Sequence, residues 1–309
     1  MPRAAIRGSA SAIHTSWDAP IDNLVHDVVT KALGECRLTL ADIDTVVTVA
    51  SDTLDGLLVP VRGEIAGNLG RSYCHITSSA GHALGAAVVM IESGQAERVL
   101  LVGWGAMEKF GAFDPRTLQA DPFHARPIGA LPRAVASIQA QQLLDLGLLD
   151  SDALKAQDAA EPNPCDGAVA IVLEAREGPC RVAVKDFASI SRAYSPDDEV
   201  LDPAVWVREA VSLLKAADGI PHDVEVAAPT VLGELRALDV LATQQRTRRN
   251  GSGGGAAAWF GPATGLRQIA FAAEALAGQP EGSVSVAADL SGPLSQHVTV
   301  ALLERGSEA

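Results

Sequence analysis

The chain is poor in aromatic side chains, which make up 4% of its 309 residues. That scarcity disfavours a loop-rich β protein and suits helices packed tightly on sheets. Basic residues are also few: 24 Lys and Arg face 38 Asp and Glu, for a formal net charge of −14. This balance argues against nucleic acid as the main partner and against attraction to an anionic membrane. It leaves room for a small basic pocket that meets a phosphate. The four cysteines, Cys36, Cys74, Cys165 and Cys180, include no C-x-x-C pair. No metal site and no disulfide framework is therefore read, and a reduced, cytoplasmic protein is the simple expectation. The opening "MPRAAIRGSASAIHTSW" has no long apolar stretch, so no signal peptide is expected. No apolar run reaches the ~18 residues of a membrane span, so no membrane span is expected either.

The chain does have Ala, Val, Leu and Gly in quantity, with 48% hydrophobic residues, enough for a large core or two. Strand-like and helix-like segments alternate. "AAIRGSASAI" reads as a strand. "PIDNLVHDVVTKALGEC" places Leu24, Val25, Val28, Val29, Ala32 and Leu33 at helical spacing. "TVVTVAS" is a short β-branched strand, and "LVPVRGEIAGNLG" a helix stopped by glycine. "DGAVAIVLEA" and "RVAVKDFASISRAY" are strands. "DPAVWVREAVSLLKAADG" is a helix with Asp202 as N-cap and Pro203 at the first helical position. "VEVAAP" reads as strand, "VLGELRALDVLA" as helix, "GGGAAAWF" as strand and "TGLRQIAFAAEALAG" as helix. "SVSVAADL" and "HVTVALLE" close the chain as strands. The pattern βαβαβαββ thus occurs twice, in residues 1–175 and 176–309. It predicts an α/β fold of mixed sheets covered by helices on both faces. An excursion at about residues 106–164 interrupts the first copy and includes a helix at "RAVASIQAQQLLDLG".

The segment most suggestive of chemistry is "CHITSSAGHALGAAVVMIESGQAERVLLVGWG", residues 74–105. It reads as strand, tight turn of small residues, helix, strand. A reactive side chain at such a turn gains from the helix N-terminus, whose free N–H groups favour negative charge. Ser78 and Ser79 are the candidates, and the backbone at Ala80 and Gly81 would stabilise an oxyanion. A serine needs an adjacent base to act as a nucleophile. His82, in the first turn of the helix, and His297, at the start of the last strand, are the two histidines placed to serve. Arg246, Arg248 and Arg249 form a basic group in an acidic chain and suit phosphates or an acidic partner. Phe110, Phe113 and Phe123, with Trp104 and Met107, suggest the lining of an acyl tunnel or an anchor for the excursion.

Four segments, in order, resemble the thiolase superfamily, which includes lipid-transfer-protein-type thiolases and ketoacyl synthases. They are the nucleophile-turn segment above, "DGAVAIVLE", "NGSGGGAAAWFGPATGLRQ" and the closing "VAADLSGPLSQHVTVALLE". The resemblance implies the thiolase-like duplicated βαβαβαββ fold, with five layers α-β-α-β-α. It also implies that helices at about 80–93 and 264–277 lie back to back in the middle. Both are nearly free of charge apart from Glu92, Arg267 and Glu274. The family's cysteine nucleophile is replaced here by Ser79 if Ser-Ala-Gly stands for C-A-G, by Ser78 if Ser-x-x-Gly stands for C-x-x-G, or by Thr77 on an ungapped count. Its G-H-P histidine is missing at Trp259-Phe260-Gly261-Pro262, and Ala287-Ala288-Asp289 stands in the neighbourhood of its second cysteine. The resemblance therefore implies a member without the usual catalytic residues. Such a chain would be a structural or regulatory partner of a catalytically competent thiolase or ketosynthase homologue, as a heterodimer or larger assembly. A small OB-fold/zinc-ribbon protein or an acyl carrier protein are further partners it implies, and a coenzyme A thioester is the substrate, with no covalently bound cofactor. Two alternatives stay open. One is a divergent acyltransferase, thioesterase or retro-aldolase using Ser78 or Ser79 with a nearby histidine. The other is an acyl- or lipid-binding protein.

Overall fold

The computed structural model describes residues 3–14, 20–56, 58–110, 115–119, 123, 127, 129, 132–150, 164–192, 201–215, 221, 223–242, 248–250, 258–292 and 295–307. In chain order the elements are β1 (Arg3–His14), α1 (Ile21–Cys36), β2 (Thr45–Val49), α2 (Asp52–Asp55), α3 (Leu58–Ile65), β3 (Ser72–Ile76), α4 (Ala80–Glu92), β4 (Arg98–Gly105), α5 (Arg116–Gln119), α6 (Pro132–Asp145) and β5 (Asp166–Arg176). They continue as β6 (Val182–Ser191), α7 (Pro203–Leu213), β7 (Asp223–Ala227), α8 (Val231–Leu241), β8 (Arg248–Arg249), α9 (Thr264–Ala277), β9 (Val284–Ser291) and β10 (His297–Arg305).

The described strands hydrogen-bond in the order β3-β2-β4-β5-β1-β6-β10-β9-β7-β8. The first five strands and the last five are mirror images in this order, so the duplication read from the sequence is present in the topology. The two sets meet only where β1 pairs with β6, at Ala5↔Ala183 and Ile6↔Val182. Neighbouring strand residues point to opposite faces, and the cores follow that alternation. Val47, Val49, Val99 and Leu101 enter a central core that also holds Leu84, Ile91, Leu266 and Leu276 of α4 and α9. Their neighbours Val46, Leu100 and Val102 face a second core built on α1. In the other set, Ala287, Ala301 and Leu303 face the central core, whereas Val286, Ala288, Val300 and Leu302 face a third core with α7 and α8. Three cores separated by two sheets give the five layers α-β-α-β-α, and α4 packs on α9 in the middle one. Leu84, Ile91, Leu266 and Leu276 have no exposure, and burying each contributes about 2 kcal/mol.

Local signals explain the outer helices. Asp202 caps α7 by accepting from the Ala204 N–H at 3.0 Å, with Pro203 in the first turn. α1 buries the stripe Leu24, Val25, Val28, Val29, Ala32 and Leu33, as its periodicity predicts. One strand differs from the sequence reading. "GGGAAAWF" was expected to supply the strand before α9, but β8 is formed upstream by Arg248–Arg249, parallel to β7 at Asp223 and Val224. Trp259 makes only an isolated bridge with Pro164, and residues 251–257 lie outside the described residues. Two residues carry no alternation, so β8 leaves no periodic trace.

The described members of the aromatic group enter different surroundings. Trp104 is fully buried in the α1-side core, with its indole N–H donating to Asp55 Oδ2 at 2.5 Å. Met107 lies in the central core and Phe110 packs against it, while Phe123 is 81% exposed. Phe113 lies outside the described residues. Among the described residues no helix is long and apolar enough to cross a membrane.

Candidate functional site

β3 delivers the chain to the start of α4 through Thr77, Ser78 and Ser79. The three residues separate into different roles. Ser79 is 2% exposed and is the N-cap, its hydroxyl oxygen accepting from the His82 N–H at 3.1 Å. Ser78 is exposed, and its hydroxyl lies 2.7 Å from His82 Nδ1. Thr77 and Ser78 line a cavity of about 470 Å³, whose wall also carries Asp52, Arg116, Trp259, Asp289, Ser291 and His297. Cys74, the one cysteine near the turn, packs against the central core.

The central feature is Asp289, in β9. Its carboxylate accepts from the Gly81 N–H at 2.7 Å. The Ala80 N–H and the Ser79 hydroxyl donate to it as well. It therefore sits on the free N–H groups at the start of α4, where a helix stabilises negative charge. The side chain is held from two directions. Glycine at 265, in the first turn of α9, leaves the space: a Cβ there would come within 2.3 Å of Asp289 Oδ1 and 2.9 Å of Ala80 Cβ. Glycine at 81 lets α4 approach β10, since a Cβ would lie 2.3 Å from Thr299 Cβ. Burial pushes the Asp289 carboxyl up to about 7, against the three hydrogen bonds that pull it down.

The histidines stand on either side. Burial lowers the pKa of His82. His297 is lowered by burial first and by the nearby His82 second. Both imidazoles are thus neutral at pH 7. His297 pairs in register with Ser291 on β9 and Ser191 on β6. Its buried Nδ1 and the buried Ser291 hydroxyl have no hydrogen-bond partner among the described residues.

The site's chemistry follows from these contacts. Ser78 and His82 have the spacing of a hydroxyl and its base. An acyl transfer through Ser78 would also need N–H donors for the oxyanion. The donors at Ala80 and Gly81 already serve Asp289. The segment Ala287-Ala288-Asp289 thus places a carboxylate on the start of α4. The sequence reading placed no role on Asp289. The available signal was an acid inside the otherwise apolar "VSVAADL", since a buried carboxylate needs partners.

The arginines separate too. Arg248 and Arg249 pair at the start of β7, whereas the cavity touches its other end at Ala227 and Ala228. The paired positions lie three to four residue steps from Ala227, about 10 to 13 Å along the strand. Arg246 lies outside the described residues. The cavity's own guanidinium is Arg116, which stacks over the Trp259 ring at 5.9 Å and donates to the Pro229 carbonyl at 3.3 Å. No group of three or more His, Cys, Asp or Glu able to hold a metal occurs among the described residues.

No family model matches the chain, and no curated protein matches its sequence. Solved structures do match its shape. The Ltp2–ChsH2(DUF35) aldolase aligns with a TM-score of 0.74 at 13% identity, over 98% of each chain. A monomeric SCP2-thiolase-like protein type 1 from Mycobacterium smegmatis aligns at 0.71 and 14% identity, over 98% of this chain and 77% of that one. The Acat5 thiolase from Ascaris suum, in complex with coenzyme A, aligns at 0.67 and 16% identity, over 98% of this chain and all of that one. The mirrored strand order, the paired central helices and the near-complete coverage agree: this chain has the thiolase fold.

Proposed function

We propose that the chain is a thioester-binding subunit without acyl-transfer chemistry of its own. On this reading it acts as the structural or regulatory partner of a catalytically competent thiolase-fold homologue. The observation that carries the proposal is the Asp289 carboxylate on the Gly81 N–H at 2.7 Å. A tetrahedral intermediate at this helix start would place its oxyanion beside a resident carboxylate. That raises the barrier instead of lowering it. The cavity, with Ser78 in its wall, suits a thioester held for shape and not for attack. Coenzyme A, seen in the Acat5 complex, is the carrier this reading assigns. The arginines at 246, 248 and 249 are assigned to its phosphates or to an acidic partner.

Support for a partner comes from β3. It stands at one end of the order of the described strands, with Ser72 and Tyr73 exposed. An unpaired strand edge is a template for pairing. The DUF35 chain in the Ltp2 structure supports a small accessory protein as a second partner.

The test is intact-mass measurement of the chain after incubation with acetyl-CoA and butyryl-CoA, alone and co-expressed with a cysteine-containing thiolase-fold chain from the same genome. The expected result is no acyl adduct on this chain, and one complex on size exclusion with the adduct on the cysteine chain. An adduct here that disappears in Ser78→Ala would overturn the proposal in favour of the second reading. That reading is serine-based acyl chemistry, and the 2.7 Å Ser78–His82 contact favours it.

A further inference from the structure

β2 carries a fully buried hydroxyl. Thr48 has no exposure, and a buried hydroxyl is costly unless it is bonded. Its partners are both on β3: Thr48 Oγ1 lies 2.7 Å from His75 Nδ1 and 2.9 Å from the Tyr73 hydroxyl. The register explains this. Thr48 stands opposite His75 in the parallel β2–β3 pair, and Tyr73, two residues earlier, shares the His75 face. The other ring nitrogen, Nε2, lies 3.0 Å from Asp52 Oδ1. Tyr73, Thr48, His75 and Asp52 thus form one hydrogen-bonded chain. Its two ends lie in different places. Asp52 lines the cavity at the start of α4, with its side chain 60% exposed. Tyr73 is exposed on β3, at one end of the order of the described strands.

A hydroxyl, an imidazole and a carboxylate in series are also the parts of an acyl-transfer triad. Thr48 cannot be its nucleophile, because no part of it reaches solvent. The chain can only pass an influence along. The order of its protons is determined from the Asp52 end. An ionised carboxylate only accepts, so the Nε2 beside it carries a proton. A neutral ring then has a bare Nδ1, which takes the Thr48 proton. Thr48 has no second proton, so it accepts from Tyr73. With the Asp52 carboxylate gone, nothing holds the ring proton on Nε2, and the opposite order becomes open. Nδ1–H then donates to Thr48, Thr48 donates to Tyr73, and the Tyr73 O–H is released for another acceptor.

Resting on the reading above of a ligand cavity and a partner on β3, we infer that this chain is a relay between the two. What meets Asp52 in the cavity sets whether Tyr73 offers an acceptor or a donor at β3. The ligand class is one whose N–H or O–H donates to the Asp52 carboxylate and weakens its hold on Nε2. A coenzyme A thioester carries such donors in the amides of its pantetheine arm. The linkage is reciprocal, so a partner that takes the Tyr73 proton changes ligand affinity by the same factor.

The test reads Tyr73 directly. The sequence has two tyrosines, Tyr73 and Tyr194, so in full-length Tyr194→Phe a carbon-13 label at the tyrosine Cζ reports Tyr73 alone by NMR. Asp52→Ala should move the Tyr73 resonance by more than its linewidth. Thr48→Val keeps the branched shape and removes the link, so it should abolish that response, and the double variant should match Thr48→Val alone. Asp52→Ala alters an exposed side chain and Thr48→Val puts a strand former in a strand, so both should stay folded, which the amide spectrum checks. Acetyl-CoA should move the same resonance as Asp52→Ala does, and should not move it in Thr48→Val. A Tyr73 resonance unmoved by Asp52→Ala, or moved equally in the Thr48→Val background, overturns the relay. Calorimetry with acetyl-CoA separates the two readings. An absence of binding overturns the thioester-binding reading, while the variants decide the relay without ligand or partner.

Discussion

The two central helices begin in opposite ways. α9 starts from its own neighbourhood: Thr264 Oγ1 accepts from the Phe260 N–H at 3.0 Å and donates to the Gly261 carbonyl at 2.8 Å. α4 starts from the other end of the chain, with Asp289 on its amides. The local cap puts no carboxylate on the α9 amides, although Arg267 stands in its first turn and Asp289 lies against Gly265. The distant cap brings a titratable group, two histidines and a cavity to one point. Duplicated architecture therefore does not mean duplicated chemistry. The mirrored topology holds two equivalent helix starts in place, and a carboxylate accepts from the amides of α4 alone among the hydrogen bonds described.

The most severe way to break that contrast is to crowd both starts. Gly81→Ala and Gly265→Ala should each cost about 3 kcal/mol, because each new Cβ meets an atom that cannot withdraw. Urea denaturation would show it, with Gly94→Ala, at an open turn with positive φ, as the milder comparison.

Charge distinguishes the two starts next. The Asp289 pKa is about 7 in the folded chain against an ordinary 3.8, so the folded protein holds this proton more tightly than the unfolded one. Its contribution is complete below about pH 4 and is lost as pH rises to about 7. Wild type should therefore lose about 2 kcal/mol between pH 5 and pH 8 relative to Asp289→Asn. Thr264→Ala keeps Asp289 and should therefore follow the wild-type profile over the same range. Parallel pH profiles for the two variants would remove the distinction.

A smaller effect separates the two serines. Ser79→Ala removes the α4 N-cap and should cost about 1 kcal/mol. Ser78→Ala, at an exposed hydroxyl, should change stability by less than about 0.5 kcal/mol and leave the activity of any complex within about threefold. A thousandfold fall in turnover for Ser78→Ala would instead make α4 a catalytic helix.

The least stability change is expected at the sheet edge. Ser72→Lys adds a charge to β3 and should leave the melting temperature within about 1 °C while weakening assembly. Analytical ultracentrifugation of wild type and variant measures it. An unchanged sedimentation profile would remove β3 from the proposed interface.

The sequence carried the fold more fully than the site, and the reason lies in distance along the chain. α1, α4, α7 and α9 show themselves through periodicity, caps and freedom from charge, all within one window of residues. β8 did not, because a two-residue strand has no pattern. Ser78 and His82 were legible as neighbours on one helix turn, and the structure puts them 2.7 Å apart. Asp289 was not, since its role depends on a backbone N–H 208 residues away. The aromatic group left two readings open, because a local concentration of rings says nothing about which core each ring enters.

That 208-residue separation also sets an order of events during synthesis. A ribosome adding about 5 to 20 residues per second makes Gly81 roughly 10 to 40 seconds before Asp289. Through that interval the first five strands can pair, but the start of α4 has nothing to hold. A nascent chain arrested before β9 would carry the sheet and the helix without the site. The cavity is therefore the last part of the molecule to exist, and a truncation that spares most of the chain still removes it.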